Sequence, residues 1–268
     1  MSYSDNIRII TETLALCQSN PILADAISAS RERQTTILES ETVPAAKARY
    51  EEDAQIVVSR KRSYQAASGY AGAKVAVLNF ASAVSPGGGV LTGCSAQEEC
   101  LCRISTLHPC LNVPENWNRF YNPHRQSNYR LNNADCIYTP DVVVFRTDDH
   151  EEALLPEDAW YRTDVITCAA PDLRTFRPGT VPDETIDRLH RHRLRRILDV
   201  AYANGAEVVI LGAFGCGAFG NNPAVVAKAM ADVVREYRRM FRTIEFAIYC
   251  SPAHMQNFVE FRSALAQL

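Results

Sequence analysis

The amino-acid sequence predicts an α/β protein built as a three-layer α/β/α sandwich, with one sheet between two layers of helices. Five short apolar runs after residue 73 are rich in Val, Ile and Ala, and few polar residues interrupt them. Such runs are typical of strands that are buried on both faces. Helical stretches separate the last three runs, and this arrangement implies right-handed crossovers with helices on both faces of the sheet. The runs are residues 74–80, 137–145, 164–170, 207–213 and 244–250.

Start and stop signals mark the helices between these runs. Before the fourth run, Asp183 is predicted to cap a long helix and Gly205 to end it. Before the fifth run, Pro223 stands at a favoured first-turn position, and a last helix is predicted near the C-terminus. Pro140 lies inside the second run, where it is expected to bend the strand or to place it at a sheet edge.

The first 65 residues differ in composition from the rest of the chain. Residues 1–65 are polar and rich in helix-forming residues, and Pro21 and Pro44 divide them into segments. We predict an N-terminal helical extension that packs on a main domain of residues 66–268.

Composition limits the classes of protein to consider. A chain of 268 residues with 47% hydrophobic residues suits one large domain, or one domain with an extension. The net charge of −3 shows no general preference for polyanions, so no sequence-specific nucleic-acid binding is expected. No apolar stretch long enough for a membrane span and no secretory signal are found, and nothing suggests an obligate assembly, so we expect a monomer. Nine cysteines, an odd number, favour reduced thiols and a cytoplasmic location.

Neither a metal nor a cofactor is expected. Four cysteines lie close together in the sequence but form no CxxC pair, so buried thiols are favoured over a zinc site. The histidines form no H-x-x-x-H or H-x-E pair. The cysteines are Cys94, Cys100, Cys102 and Cys110; of the histidines, His108, His124 and His150 are expected in polar loops and His190 and His192 on a basic helix face.

The first segment that indicates chemistry is NFASAVSPGGGVLTGCSAQEECLCRIS, residues 79–105. It begins at the carboxyl end of the first strong strand, where open α/β sheets bind ligands. Gly87, Gly88 and Gly89 lack Cβ atoms, so their backbone can approach a diphosphate and direct N–H groups toward it. A simple tight turn is the alternative.

Two adjacent glutamates follow this loop at a predicted helix start. Gln97, Glu98 and Glu99 stand eight to ten residues after Gly89. One interpretation is a capping box, with Ser95 as the N-cap and Glu98 at the third helical position. The other is a site, which the neighbouring glycine-rich strand exit favours.

The second segment is LGAFGCGAFGNNP, residues 211–223, again at the end of a strand and before a helix. Its glycines give the backbone freedom, and the following helix offers free N–H groups to an anion. Phe214 and Phe219 either fold back as core anchors or lie against a nucleoside, and Cys216 is expected to be a packed thiol rather than a reactive one. Two glycine-rich loops that leave the same sheet can contact one phosphorylated ligand from two sides. The glycines are Gly212, Gly215, Gly217 and Gly220.

PGGG, then seven residues, then QEE resembles the signature of the poly(ADP-ribose) glycohydrolases. The flanks NFA and LCRIS resemble the compact microbial branch of that family, and GCGAFGN resembles its diphosphate-contacting loop. The resemblance covers about residues 79–261. It implies a macrodomain-like fold with a mixed central sheet, hydrolysis of the polymer, and a part in reversing ADP-ribosylation, including in the DNA damage response. The implied partners are ADP-ribose, poly(ADP-ribose) and ADP-ribosylated proteins.

The resemblance also assigns roles by position. Glu99 corresponds to the catalytic glutamate and Glu98 to the neighbour that binds the terminal ribose. Asn79 corresponds to the asparagine near that ribose, and Phe219 to the aromatic residue of the second loop. Asp172 stands where asparagine is common, and it would add a negative charge near a diphosphate. The other implied substrate-binding residues are Gly87, Gly88, Gly89, Gln97, Gly215, Cys216, Gly217, Ala218 and Gly220.

The spacing of the two glutamates constrains the mechanism. Neighbours on a helix point about 100° apart, so Glu98 and Glu99 cannot flank a ribose as the two carboxylates of ordinary glycosidases do. We hypothesise that Glu99 first donates a proton to the leaving hydroxyl and then takes one from water. Two other functions stay open, a non-catalytic ADP-ribose reader and a mono-ADP-ribosyl hydrolase. The basic run at 188–196 is predicted to be a solvated helix face, with contact to a polyanionic chain as the alternative.

Overall fold

In the computed structural model, which describes residues 2–266 and 268, the chain folds around a seven-stranded sheet. The strands are β1 (Thr35–Ile37), β2 (Gln55–Ser59), β3 (Val75–Phe80), β4 (Cys136–Val144), β5 (Tyr161–Cys168), β6 (Val208–Leu211) and β7 (Thr243–Ala247). They lie in the order β1-β4-β5-β3-β6-β7-β2. β4 is antiparallel to both of its neighbours, whereas all other neighbouring pairs are parallel. Each of the five apolar runs forms a strand, which confirms the predicted α/β class with a mixed sheet.

Both edge strands lie in the region that was predicted to be helical, and the prediction for 34–65 is wrong there. β2 pairs in parallel with β7 along its whole length, from Gln55 opposite Thr243 to Ser59 opposite Ala247. The sequences TTI of β1 and QIVVS of β2 are rich in β-branched residues, which fit a pleated strand better than a helix. Because both strands are short and only partly buried, they show no continuous apolar run that would reveal them.

Helices cover both faces of the sheet, as predicted. They are α1 (Tyr3–Ser19), α2 (Pro21–Arg33), α3 (Ser63–Ala67), α4 (Gln97–Arg103), α5 (Leu107–Leu111), α6 (Pro114–Asn116), α7 (Asn122–Ser127), α8 (Asp183–Ala203), α9 (Pro223–Tyr237) and α10 (Gln256–Leu265). α8, α9 and α10 pack on one face and α1, α3, α4 and α5 on the other, each through buried apolar side chains. α2 packs on the end of β4. None of the helices described is both long and apolar enough to cross a membrane.

Local signals set several element ends. Gly205 follows α8 with φ +80°, a left-handed conformation that ends the helix as predicted. Asp183 is the first residue of α8 and Pro182 its N-cap, so the predicted cap is wrong by one residue. At Pro140 the pairing of β4 with β5 shifts register, so the expected bend is present as a β-bulge.

The basic run at 188–196 lies on α8, and most of its charges are satisfied within the protein. Arg191 pairs with two aspartates, and Arg195 forms two hydrogen bonds with Glu236 of α9. Arg193 is fully buried, and its guanidinium donates to backbone carbonyl oxygens. The run therefore joins α8 to its neighbours and leaves little free charge for a polyanionic chain.

Candidate active site

A cavity of about 850 Å³ lies at the carboxyl ends of β3, β6 and β7, where both glycine-rich segments leave the sheet. The structure thus brings the two segments and the start of α4 to one place. The predicted residues that line the cavity are Gly88, Gly89, Gln97, Glu98, Glu99, Gly215, Gly217, Ala218 and Phe219. Asn79, Gly87, Cys216 and Gly220 belong to the same segments but do not line it.

Glu99 connects the start of α4 to the glycine triplet. Its Oε1 accepts a hydrogen bond from Gly89 N (2.9 Å), and its Oε2 accepts one from Ala96 N (3.0 Å). The second bond gives Glu99 the role of the acidic residue in a helix cap. The capping interpretation of the sequence placed Glu98 in that role with Ser95 as the N-cap, and it is wrong by one residue. The Glu99 carboxyl therefore lies against the loop suited to a diphosphate.

Glu98 is buried beside Glu99 at the end of β3. Its Oε2 accepts a hydrogen bond from Ser82 N (2.7 Å), and its Oε1 accepts one from Asn79 Nδ2 (3.3 Å). Burial raises the pKa of Glu98 to about 8; the Ser82 hydrogen bond opposes this shift, and the nearby Glu99 charge adds to it. Burial therefore favours the protonated form of Glu98, whereas the N–H groups that donate to both of its oxygens favour the ionised form.

Asn79 lies fully buried beneath the two glutamates. Its Nδ2 donates to Glu98 Oε1 and to Thr167 Oγ1 (3.2 Å). Within the part of the chain that the structure describes, its Oδ1 has no hydrogen-bond partner. A buried acceptor without a partner costs about 1–3 kcal/mol. Because Asn79 does not line the cavity, its contact with the site is the hydrogen bond that it donates to Glu98.

Both the backbone conformation and the space around position 88 require glycine. Its φ is +59°, a left-handed conformation, and a Cβ built on it would lie 2.5 Å from Glu99 Oε1 and 3.0 Å from Glu98 Oε2. Gly87 has φ +69°, and its Cβ would lie 2.8 Å from His108 Cδ2. The triplet is therefore a tight turn that closes directly onto both glutamates, and its contact with a diphosphate stays a prediction.

Gln97 and Arg103 hold α4 against the sheet. Gln97 Oε1 accepts a hydrogen bond from Phe80 N (2.9 Å), and its Nε2 donates to Leu78 O (2.8 Å). Since its amide bonds to the backbone at the end of β3, Gln97 acts as a positioning residue. Arg103 is fully buried and donates two hydrogen bonds to Glu152, both of 2.7 Å. These bonds fix both ends of α4 and with them the two glutamates.

The two aromatic residues of the second loop have different surroundings. Phe214 is fully buried with its ring centroid 5.6 Å from that of Phe80, so it is a core anchor. Phe219 lines the cavity, and the Arg174 guanidinium carbon lies 4.9 Å from its ring centroid. Phe214 also borders the cavity but is fully buried, so the partly exposed Phe219 is the ring better placed to lie against a ligand.

Asn221 and His190 fix the second loop from behind. Asn221 Nδ2 donates to Gly215 O (3.0 Å) and Pro171 O (2.7 Å), and its Oδ1 accepts from His190 Nε2 (3.0 Å). Burial lowers the pKa of His190 to about 4, so the ring is neutral. The sequence placed His190 on an exposed basic face, and this is wrong. It lies four residues after the buried Ile186 and thus on the same side of α8.

The charge of Asp172 is balanced by arginine. Arg174 donates two side-chain hydrogen bonds to it (2.8 and 2.7 Å), and Arg130 Nη1 lies 3.9 Å away. Burial acts to raise the pKa of Asp172, but the Arg174 hydrogen bonds and both arginine charges outweigh it, so the pKa lies below its usual value. The departure from asparagine therefore holds Arg174 over Phe219 and adds no free negative charge to the cavity.

Three residues that sequence analysis did not assign to the site also line the cavity. They are Arg62, His150 and Tyr249, which follow β2, β4 and β7. The Arg62 guanidinium carbon lies 4.7 Å from the Tyr249 ring centroid, and the Tyr249 hydroxyl lies 2.9 Å from His150 Nε2. No local motif joins them, although an aromatic residue directly after a buried strand, as Tyr249 is, could have been recognised.

The cysteines form no cluster at the cavity. Among residues 2–266 and 268, no group of three or more His, Cys, Asp or Glu side chains is positioned to hold a metal ion. Cys216 is largely buried, and burial raises the pKa of its thiol to about 12. It is the packed thiol that the sequence favoured.

These observations define an α/β protein whose cavity holds a glycine-rich loop against paired carboxyl groups. A model of the microbial-type PARG catalytic domain matches residues 7–147, just over half of the 268-residue chain. The chain belongs to this family, the microbial-type poly(ADP-ribose) glycohydrolases, and is a hydrolase of glycosidic bonds. The matched residues include the glycine triplet and both glutamates.

Solved structures are similar over nearly the whole chain. Poly(ADP-ribose) glycohydrolase from Thermomonospora curvata is 30% identical, with a TM-score of 0.87 over 97% of this chain and 99% of that one. The same enzyme bound to the inhibitor ADP-HPD gives a TM-score of 0.82 with 30% identity over the same shares. The Deinococcus radiodurans enzyme in complex with ADP-ribose is 32% identical, with a TM-score of 0.77 over 90% of this chain and 97% of that one. Among curated protein sequences, none matches. The structural matches confirm the macrodomain-like fold.

Proposed function

We propose that this chain hydrolyses the ribose–ribose O-glycosidic bonds of poly(ADP-ribose) and releases ADP-ribose, with Glu99 as acid and base and without a metal ion. The contact between Glu99 Oε1 and Gly89 N (2.9 Å), inside the cavity, carries this proposal. It holds a carboxyl suited to proton transfer beside a loop suited to a diphosphate. The relatives that were solved with ADP-ribose and with ADP-HPD support the same class of ligand.

The cavity lining gives the ligand an orientation. The Glu98 carboxyl, which lines the cavity, is placed for the hydroxyls of the distal ribose, and Asn79 holds that carboxyl through the hydrogen bond from its Nδ2. The diphosphate lies between the glycine triplet and the loop of residues 215–220, close to backbone N–H groups. The adenosine extends toward Arg62 and Tyr249, where the aromatic ring offers a stacking surface.

One carboxyl performs both proton transfers, because Glu98 and Glu99 lie at the same helix start. In the first step, the Glu99 carboxyl gives its proton to the leaving ribose oxygen as the bond from that oxygen to the anomeric carbon breaks, and an oxocarbenium-like ribose forms. In the second step, the Glu99 carboxylate takes a proton from water while the water oxygen bonds to the anomeric carbon. Glu99 ends the cycle protonated, as it began.

An assay of released ADP-ribose tests this proposal. The chain is incubated with poly(ADP-ribose) and, separately, with mono-ADP-ribosylated proteins, each with and without EDTA. Free ADP-ribose is expected from the polymer. Release only from mono-modified proteins would identify a mono-ADP-ribosyl hydrolase, binding without release would identify a reader, and loss of polymer hydrolysis in EDTA alone would contradict the metal-free mechanism.

A further inference from the structure

The strand order gives the bound polymer a direction. β5, β3, β6, β7 and β2 are consecutive neighbours in the sheet. In the proposed function, on which this inference rests, the distal ribose lies at the end of β3, the diphosphate at the loop after β6, and the adenosine beyond β7. The bond to be broken is on the distal ribose. The rest of the polymer therefore leaves the cavity on the opposite side, over the end of β5.

An arginine-rich surface borders the cavity on that side. We call Arg125, Arg130 and Arg174 the arginine rim. Arg174 lines the cavity and lies over the Phe219 ring, where its two hydrogen bonds to Asp172 hold it. Arg130 lies 3.9 Å from the same carboxylate, and its side chain is 47% exposed. Arg174 and Arg130 face this single carboxylate, so the three groups together carry a net positive charge on a protein whose overall charge is −3.

Hydrogen bonds fix the rim to the walls of the cavity. The Asp172 N–H donates to Arg130 O (2.9 Å), which joins the segment after β5 to the turn that carries Arg130. Arg125 Nε donates to Val84 O (2.7 Å), in the loop that leads to the glycine triplet. The Arg125 guanidinium carbon also lies 4.6 Å from the Trp117 ring centroid. Side-chain hydrogen bonds therefore position Arg125 and Arg174, and Arg130 is held through its backbone and its ion pair with Asp172.

We propose that the arginine rim, together with Tyr129, binds the second ADP-ribose unit of the polymer, the unit whose ribose hydroxyl is released. Guanidinium groups bind the two phosphates of a diphosphate through charge-assisted, often bidentate, hydrogen bonds. Tyr129 stands next to Arg130 and is 54% exposed, so its ring offers a face to the adenine. The cavity holds the terminal unit, and the rim holds the polymer that follows it.

Two substrates separate this rim from the rest of the site. Poly(ADP-ribose) has a second unit, whereas the 1″-O-aryl glycoside of ADP-ribose has only the terminal unit. Arg130→Gln is expected to lower the ratio of kcat/KM for polymer to kcat/KM for glycoside about ten-fold, which corresponds to about 1.4 kcal/mol. The matched control is Arg235→Gln on α9. The Arg235 side chain is 44% exposed and, like that of Arg130, pairs with an aspartate. For Arg235→Gln, the ratio of kcat/KM for polymer to kcat/KM for glycoside is expected to equal that of the wild type.

Each outcome has a distinct meaning. A ratio unchanged in Arg130→Gln and also in the double variant Arg125→Gln/Arg130→Gln would overturn the inference while the proposed function stands. An equal fall in Arg235→Gln would also overturn it, because the effect would then be general electrostatics. A wild-type protein that hydrolyses neither substrate would refute the proposed function itself.

Discussion

Replacement of Gly88 by alanine tests whether the glycine triplet and the glutamates form one unit. The added methyl carbon would lie 2.5 Å from Glu99 Oε1 and 3.0 Å from Glu98 Oε2. Real contacts to a Cβ are longer, so the Glu99 carboxyl must move away from Gly89 N, to which it is now bonded at 2.9 Å. The variant therefore displaces the proposed acid without changing it chemically.

Two effects set the loss of stability expected for Gly88→Ala. A left-handed conformation costs alanine about 1–2 kcal/mol, and loss of a hydrogen bond to a carboxylate costs about 1.5–3 kcal/mol. Gly88→Ala should therefore lower the free energy of unfolding by about 3 kcal/mol. Since misplacement of a reacting group by about 1 Å can lower the rate about 100-fold, kcat on poly(ADP-ribose) should fall by at least that factor.

Gly72→Ala is the matched control. Gly72 has φ +86°, but a Cβ built on it has no atom within 4 Å, so alanine there adds backbone strain without contact. Denaturant unfolding should show a loss of about 1–2 kcal/mol for this variant, and its kcat should equal that of the wild type. If both variants lose stability equally and Gly88→Ala retains its kcat, the steric argument for a single unit is refuted.

Two further predictions concern groups around the cavity. Asn221→Ala removes the hydrogen bonds to Gly215 O and to His190. Calorimetry should therefore show weaker ADP-ribose binding, and denaturant unfolding should show a free energy of unfolding lower by about 1–3 kcal/mol. Unchanged binding would show that the loop keeps its shape without Asn221. The pKa of Glu98 is raised to about 8 from 4.5, so the folded state holds a proton that the unfolded state releases between these values. The raised pKa of Glu98 contributes to the free energy of unfolding below pH 4.5, and this contribution is lost as the pH rises to 8. Each unit by which the pKa is raised corresponds to about 1.4 kcal/mol. Denaturant unfolding at pH 5 and pH 8.5 should therefore show a smaller decline for Glu98→Gln than for the wild type, and an equal decline would contradict the buried proton.

The strands that sequence could reveal are those buried on both faces. β6 (VVIL) is a continuous apolar run, β3 (VAVLNF) nearly so, and the second half of β5 contains VI, and helices pack on both faces of the sheet. β1 and β2 are edge strands, and their burial depends on pairing with β4 and β7, which are distant in the sequence. Local composition therefore cannot distinguish them from the helices nearby.

The residues of the candidate site also fall into those with a local sequence signal and those that only the fold brings together. Gly88 and Glu99 are eleven residues apart, and their spacing is a local signal that sequence analysis could use. Arg62, Tyr249 and Arg174 reach the cavity only because β2, β7 and β5 end at the same edge of the sheet. The cytoplasmic location and the monomeric state that the sequence favours stay predictions.

The most direct test of the central claim is the turnover of Glu99→Gln. Glutamine keeps the shape of the side chain and can still accept a hydrogen bond from Gly89 N, but it cannot transfer the proton. Hydrolysis of poly(ADP-ribose) should fall by about 100- to 10,000-fold, while the Kd for ADP-ribose, measured by calorimetry, stays close to that of the wild type. Turnover at a rate near that of the wild type would contradict the assignment of Glu99 as the acid and base.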